Sequence, residues 1–250
     1  MILILKKLIF IFIGSRLSFK KNLSYLDLNF KKINFTNNTK IKSFIFKKNF
    51  YVNNNKIIHN FDFLNFSNKL GGKIGINLSR EALFGWHKLN KNKLGFPWSE
   101  DLTSKRLINL LYNYEYIYFS SKSDDKKRLD SIIYFHIQRI LLDFDSKKIS
   151  ELSSFDFIAY ILSKLILKKI NEKKIDYIKF VVDSQVDKLG MHKSYNLLEH
   201  SKFINNLNEM KNVLLYFKQN RLEVFDSTIL KMTSILNEYF HADGSLPLFN

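Results

Sequence analysis

From about residue 100 onward, apolar residues recur every three or four positions, and short polar breaks cut this pattern into segments of similar length. Thr103 to Phe119 carries Leu107, Ile108, Leu110, Leu111, Tyr114 and Ile117 on one helical face. Lys126 to Phe144 repeats the pattern with Leu129, Ile132, Ile133, Phe135, Ile137, Ile140 and Leu141. Ser150–Ile170, Lys173–Leu189, Asn196–Phe217 and Val224–Phe240 follow with brief connections. Helices of similar length joined by short links pack as antiparallel hairpins. No exact sequence repeat runs through them, which disfavours a regular solenoid and favours a toroid of α-hairpins.

The texture before that differs. Between about 19 and 70, stretches such as Phe30–Phe35 and Lys42–Lys47 alternate apolar and polar residues, and asparagine clusters interrupt them. That pattern predicts short strands and loops. Leu70-Gly71-Gly72-Lys73 reads as a turn and a boundary. The expected fold is therefore mainly α: an incomplete (α/α) toroid of antiparallel helix hairpins over 71–250, preceded by a short irregular or β segment over 1–70. In Met1–Gly14 the apolar run after the Lys6-Lys7 pair is only Leu8–Ile13. A bilayer span needs ~20 apolar residues, so no stable span is expected. The lysine pair and apolar run are signal-like, but no small-x-small cleavage site follows. A buried first helix or strand is the favoured reading.

Lys and Arg number 40 against 23 Asp and Glu, a net charge of +17. Such a surplus points to an anionic partner: nucleic acid, a membrane surface or an acidic polysaccharide. A/T-rich codon bias accounts for the same crowding of Lys, Asn, Ile, Phe and Tyr without any binding role. Lysine outnumbers arginine and is spread among apolar residues, which argues against nucleic acid. With no cysteine, a disulfide scaffold, a thiolate zinc site, an iron–sulfur cluster and a Cys nucleophile are excluded. No phosphate-binding glycine loop or catalytic signature such as HExxH or GxSxG is present. No metal and no cofactor is expected.

Three loops carry candidate chemistry. In Gly95–Leu107, Trp98 precedes a helix start that Thr103 or Ser104 could cap, with Arg106 in its first turns. An indole under a sugar face and a guanidinium on a carboxylate or sulfate would make a glycan subsite. The plainer alternative is a buried Trp anchoring a helix hairpin. In Gln185–Glu199, Gly190 has the character of a left-handed helix terminator, and Asn196 with Glu199 resembles a capping box. His192 lies in the loop between them. In His241–Asn250, His241 and Asp243 flank an Asp-Gly turn, without further ligands at metal-site spacing. The apolar Leu248-Phe249 pair just before Asn250 reads as truncation.

Taken together and in order, these loops resemble the N-terminal helical region of the heparinase II/III family of polysaccharide lyases. The carrying residues are Trp98, Thr103, Ser104 and Arg106; then Gln185 through His192 with Ser194 and Asn196; then His241, Asp243, Gly244, Leu248, Phe249 and Asn250. The likeness covers roughly residues 80–250. It departs from the family at Leu189-Gly190-Met191-His192, where the family has Asp-Gly-Gly-His, and at Ser194, where an acidic residue is frequent. The resemblance implies a β-sandwich beyond Asn250 carrying further active-site residues, and the family's catalytic Tyr is not placed on this chain. It implies a periplasmic or cell-envelope setting; composition leaves the cytoplasm open.

The implied reaction is β-elimination on a uronate-containing glycan. The carboxylate must be neutralised, a base must take the C5 proton, and an acid must protonate the leaving oxygen. The catalytic expectation falls on His192, as base or carboxylate neutraliser, and on Asn196 as donor. Trp98, Arg106, His241, Asp243 and Asn250 are expected to bind substrate. Two alternatives stay open: a non-catalytic helical domain that binds acidic glycans, and a basic helical protein that binds nucleic acid.

Overall fold

A computed structural model of the chain describes residues 50–52, 56–93, 95–144, 154–167, 182–216 and 223–239. After a 3-10 turn at Phe50–Val52 come α1 (Lys56–His59), α2 (Asp62–Leu70) and α3 (Gly72–Asn90). A second 3-10 turn, Phe96–Trp98, leads into α4 (Glu100–Tyr112), α5 (Tyr114–Phe119) and α6 (Ser123–Phe144). Then follow α7 (Ser154–Ile166), α8 (Leu197–Tyr216) and α9 (Glu223–Glu238). The described part is thus mainly α, as the periodicity predicts. Two compact units divide the chain: residues 1–147 with 155–163, and 148–154 with 164–250. In the first, α2 packs on α3 and α4, and α4 packs on α6; in the second, α8 packs on α9. Among the described residues, no helix is long and apolar enough to cross a membrane.

The expected strands and loops before residue 70 need correction where the chain is described, because 56–59 and 62–70 are helical. Phe63, Leu64, Asn65 and Ser67 form the buried face of α2. Two of these four are polar, so counting apolar residues hides the helical stripe. The same holds for α3, which the periodicity did not announce: its buried positions are Gly75, Ser79, Ala82, Leu83, Phe84, Trp86 and Asn90. Their spacing is helical, but small and polar residues fill half of it. The turn at Gly71-Gly72 forms as predicted, with φ of +66° and +55°, a conformation suited to glycine. It joins α2 to α3 within one unit. Close approach of those helices depends on Gly75: a Cβ there would lie 2.1 Å from the Ser67 carbonyl oxygen and 2.4 Å from the Tyr116 hydroxyl.

A buried chain of amides ties α2 to α4. Asn65 Nδ2 donates to Asn109 Oδ1 (2.9 Å), Asn113 Nδ2 to Asn65 Oδ1 (2.8 Å), and Asn68 Nδ2 to Asn113 Oδ1 (2.9 Å). Asn109 Nδ2 donates onward to the Asn60 carbonyl (2.9 Å) and to Asp62 Oδ1 (3.0 Å). Asn65 and Asn68 are three apart and Asn109 and Asn113 four apart, so each pair shares a helix face. Asn113 also donates to the Asn109 carbonyl at 2.8 Å. At this residue the segment expected as one helix over 103–119 divides into α4 and α5.

The later boundaries fall close to expectation. α8 and α9 lie within two residues of the predicted segments, and α6 starts three residues early, with Asp124 and Asp125 in its first turn, where the helix dipole favours acids. Ser153 lies outside the described residues, and Ser154 is the first residue of α7. Of the segment predicted over Lys173–Leu189, residues 173–181 lie outside the description, and 182–185 are helical. The chain then turns: Val186 and His192 form an antiparallel bridge, so Leu189 belongs to a tight loop and not to a helix.

Candidate functional site

In the first unit, α4 starts at Glu100 with Ser99 as N-cap, four residues before Thr103 and five before Ser104, the residues expected to cap it. Thr103 and Ser104 are therefore inside the helix. Thr103 Oγ1 donates to the Ser99 carbonyl (2.9 Å), and the Ser104 hydroxyl donates to the Asp156 carboxylate. This start points Arg106 inward, where it is completely buried (0 % exposed). Its Nη1 donates to the His59 carbonyl (2.5 Å) and its Nη2 to Thr103 Oγ1 (3.3 Å). The guanidinium carbon lies 4.2 Å from the Trp86 ring centre, 4.5 Å from that of Trp98 and 5.5 Å from that of Phe61. Among the described residues no carboxylate pairs with it, and its Nε has no hydrogen-bond partner. The box therefore holds its cation by ring faces and two neutral acceptors.

Trp98 is also in this core, 3 % exposed, with Nε1 donating to the Asn90 carbonyl at 2.7 Å. The structure brings Trp98 and Arg106 together as expected, but against protein and away from solvent, which is the anchoring arrangement. Three histidines share the box. Trp86 Nε1 donates to His59 Nδ1 (2.9 Å), so that nitrogen is bare. His136 Nδ1 donates to the Ile132 carbonyl (2.8 Å), which leaves its buried Nε2 bare and without a partner. Burial, reinforced by the Arg106 charge, pushes His59 down to about 4 and holds His136 well below the usual range. Burial likewise lowers His87 to about 4, with nearby cations adding to it. Burial holds the Arg106 guanidinium well below its ordinary value, and Arg139 adds repulsion. Phe61 closes the box with φ of +64°, a left-handed conformation that is strained for a bulky residue.

In the second unit, the loop between Gln185 and α8 is organised by Asp187. Its Oδ1 accepts from the backbone N–H groups of Leu189 (3.0 Å), Gly190 (2.9 Å) and Met191 (2.8 Å). Those bonds, the Met191 N–H first, lower the Asp187 pKa. Gly190 has the predicted positive φ (+102°) but ends no helix: the helical stretch stops at 185, and the glycine sits in the turn against α9. Asn196 caps α8: its Oδ1 accepts from Leu198 N–H (2.9 Å) and Glu199 N–H (3.1 Å). The reciprocal half of the expected capping box is replaced. Asn196 N–H donates to Ser194 Oγ (3.3 Å), while Glu199 pairs with Lys202 (2.7 Å).

His192 sits at the centre of this loop, half-buried, its ring 5.1 Å from that of Phe203. Its Nδ1 accepts from Ser194 N–H (3.2 Å) and lies 2.8 Å from Ser194 Oγ. The backbone donor fixes the tautomer: the neutral ring carries its proton on Nε2. Burial first, then the nearby His200, lowers the His192 pKa, and Glu199 opposes them. The ring is neutral at neutral pH. His192 N–H donates to His200 Nδ1 (3.1 Å), and the fully buried His200 donates from Nε2 to the Met232 carbonyl (2.8 Å). One imidazole thus joins the loop, α8 and α9.

His241, Asp243 and Asn250 lie outside the described residues. Compared with models of known families, with curated proteins and with solved structures, the chain matches none. Among the described residues no group of three or more His, Asp or Glu side chains could hold a metal ion. Sequence reasoning missed Asp187, whose Asp-x-x-Gly spacing is the signal for such an acceptor-centred turn. It also missed His59, Trp86, His136 and His200. Each is a single polar or aromatic residue on an otherwise ordinary helix, and no local pattern marks it.

Proposed function

We propose that the chain is the helical region of a polysaccharide lyase that acts on uronate-containing glycans by β-elimination, with the Gln185–Asn196 loop as its chemical part. The toroidal arrangement of hairpins belongs to the same proposal. The ordered resemblance of the three loops motivates it. The observation that carries it is the state of His192, a half-exposed imidazole, neutral and held in one tautomer by Ser194. Because Nδ1 is occupied, the neutral ring offers an Nε2–H donor. That suits it to hold a substrate carboxylate, which acidifies the C5 proton, better than to remove that proton. The Asn196 carbonyl oxygen is engaged in capping, so its amide nitrogen is the group suited to a second bond to the carboxylate. Trp98 and Arg106 support the scaffold in this reading.

The test is incubation of the chain with heparin, heparan sulfate and alginate while following the ultraviolet absorbance of the unsaturated uronate product. Product formation that falls at least tenfold in His192→Ala, with helicity retained, supports the proposal. Glycan binding without product supports the non-catalytic glycan-binding alternative. Product formation unchanged in His192→Ala removes His192 from the chemistry.

A further inference from the structure

In the first unit, α5 buries one face, with Tyr114 and Ile117 fully enclosed. A second face stays open. Tyr112 at the end of α4, and Glu115, Tyr116 and Phe119 three, four and seven residues after it, line a cavity of about 530 Å³. Asn68 of α2 and Ile76 of α3 complete its walls. Small-molecule sites commonly have this volume.

The walls are held in place. The Tyr116 hydroxyl donates to the Ser67 carbonyl (3.1 Å), at the point where a Cβ on Gly75 would lie 2.4 Å from it. The ring is thereby wedged between α2 and α3. Asn68 Nδ2 donates to Asn113 Oδ1 (2.9 Å), so Asn68 Oδ1 is left as an acceptor beside the cavity. The Phe119 ring is 61 % exposed.

Charge decides what fits. Among the described residues, no lysine, arginine or histidine lines the cavity, and its one charged group is Glu115. Arg80 reaches the Ser120 carbonyl at the rim (3.4 Å), but Asn77 (2.7 Å) and Asp125 (3.6 Å) hold its guanidinium. A uronate or sulfate would face the Glu115 carboxylate with no lining cation to neutralise it. An organic cation would enter against the field of a chain of net charge +17. An uncharged ligand meets neither penalty. The aromatic walls suit apolar faces, and the Glu115 and Asn68 oxygens suit hydroxyl donors. A neutral sugar carries both.

We propose that this cavity binds a neutral oligosaccharide. Its C–H faces lie on the rings of Tyr112, Tyr116 and Phe119, and its hydroxyls donate to Glu115 and Asn68. The inference stands apart from the lyase reading: it concerns the first unit, uses neither His192 nor Asn196, and takes a ligand without a carboxylate.

Titration calorimetry and saturation-transfer NMR of the full chain with cellotriose, maltotriose and triacetylchitotriose test it. At least one is expected to bind, with saturation strongest at its ring C–H protons. Phe119→Ala lowers the association constant about fivefold and Glu115→Ala about tenfold or more. Glu115→Gln keeps an acceptor and stays within about fivefold of the parent. His192→Ala binds like the parent. Circular dichroism checks that the variants stay folded. Absence of binding by all three sugars, binding that neither alanine variant at 115 or 119 weakens, or binding lost in His192→Ala overturns the proposal. Binding of benzyltrimethylammonium in place of the sugars, abolished in Glu115→Gln, assigns the cavity to an organic cation instead.

Discussion

Arg106 in the first unit and His200 in the second are both completely buried polar side chains, yet they are accommodated differently. His200 is satisfied at both ring nitrogens, by a backbone donor and a backbone acceptor on different elements. Arg106 keeps a positive charge among ring faces, with its Nε unpartnered, and the likewise unpartnered His136 Nε2 and His87 Nδ1 lie in the same core. Around His200, hydrogen bonding specifies the geometry. Around Arg106, shape and the aromatic quadrupoles hold a charge that hydrogen bonding leaves incompletely compensated.

The sharpest way to break this comparison is at Arg106. Arg106→Ala opens a large cavity and frees the His59 carbonyl, and is expected to cost about 3–5 kcal/mol in urea unfolding. Arg106→Met keeps the volume and removes the buried charge, and is expected to fall within about 1 kcal/mol of the parent. A Met variant as damaged as the Ala variant would show that the cation–ring contacts stabilise the charge outright. Next in size is Asn109→Ala, which strands the Asn65 Nδ2 donor and the Asn60 carbonyl together. A loss of about 2–3 kcal/mol is expected, and amide exchange should accelerate in α2 and α4 ahead of α6.

Acid separates the two units. His59 and His87 titrate at about 4 when folded and 6.5 when unfolded. The unfolded chain therefore binds protons first, and the stability they contribute, complete above pH 6.5, is lost as pH falls toward 4. The limiting slope is about 1.4 kcal/mol per pH unit for each histidine. Asp130, raised by burial to about 6, acts in the opposite sense and offsets part of this loss. In the second unit burial raises Glu209 to about 7, so falling pH through that range favours the folded form. Hydrogen-exchange protection, corrected for the intrinsic pH dependence of amide exchange, should fall in α3 and α6 and rise in α8 between pH 7 and pH 5; equal changes in both units would contradict the assignment. The smallest effect is expected at Asn196→Ala, which removes one cap and costs about 1 kcal/mol, measured by thermal unfolding.

Legibility in the sequence followed the chemistry of the buried stripe. α6 and α8 bury mostly aliphatic residues and α9 buries Phe225, Met232 and Leu236 beside Thr228, so their 3.6-residue period is plain. α2 and α3 bury Asn65, Ser67, Gly75, Ser79 and Asn90, whose partners lie tens of residues away and leave no local trace. The cap at Asn196 and the left-handed Gly190 were readable because both act on their own backbone. Arg106 was conspicuous as a residue, but its surroundings come from three other helices. Nothing adjacent to it in the chain separates a buried arginine from one facing a ligand.

The asparagine ladder also bears on how the molecule ages. Deamidation proceeds when the following backbone nitrogen attacks the side-chain carbonyl carbon, which requires a free amide and a flexible backbone. Asn65, Asn68, Asn109 and Asn113 have their amides engaged, and the first three lie within helices. In a chain so rich in asparagine, these four should be among the slowest to convert to aspartate. The damage would accumulate instead at exposed loop asparagines, where a new negative charge does not disturb the helix packing.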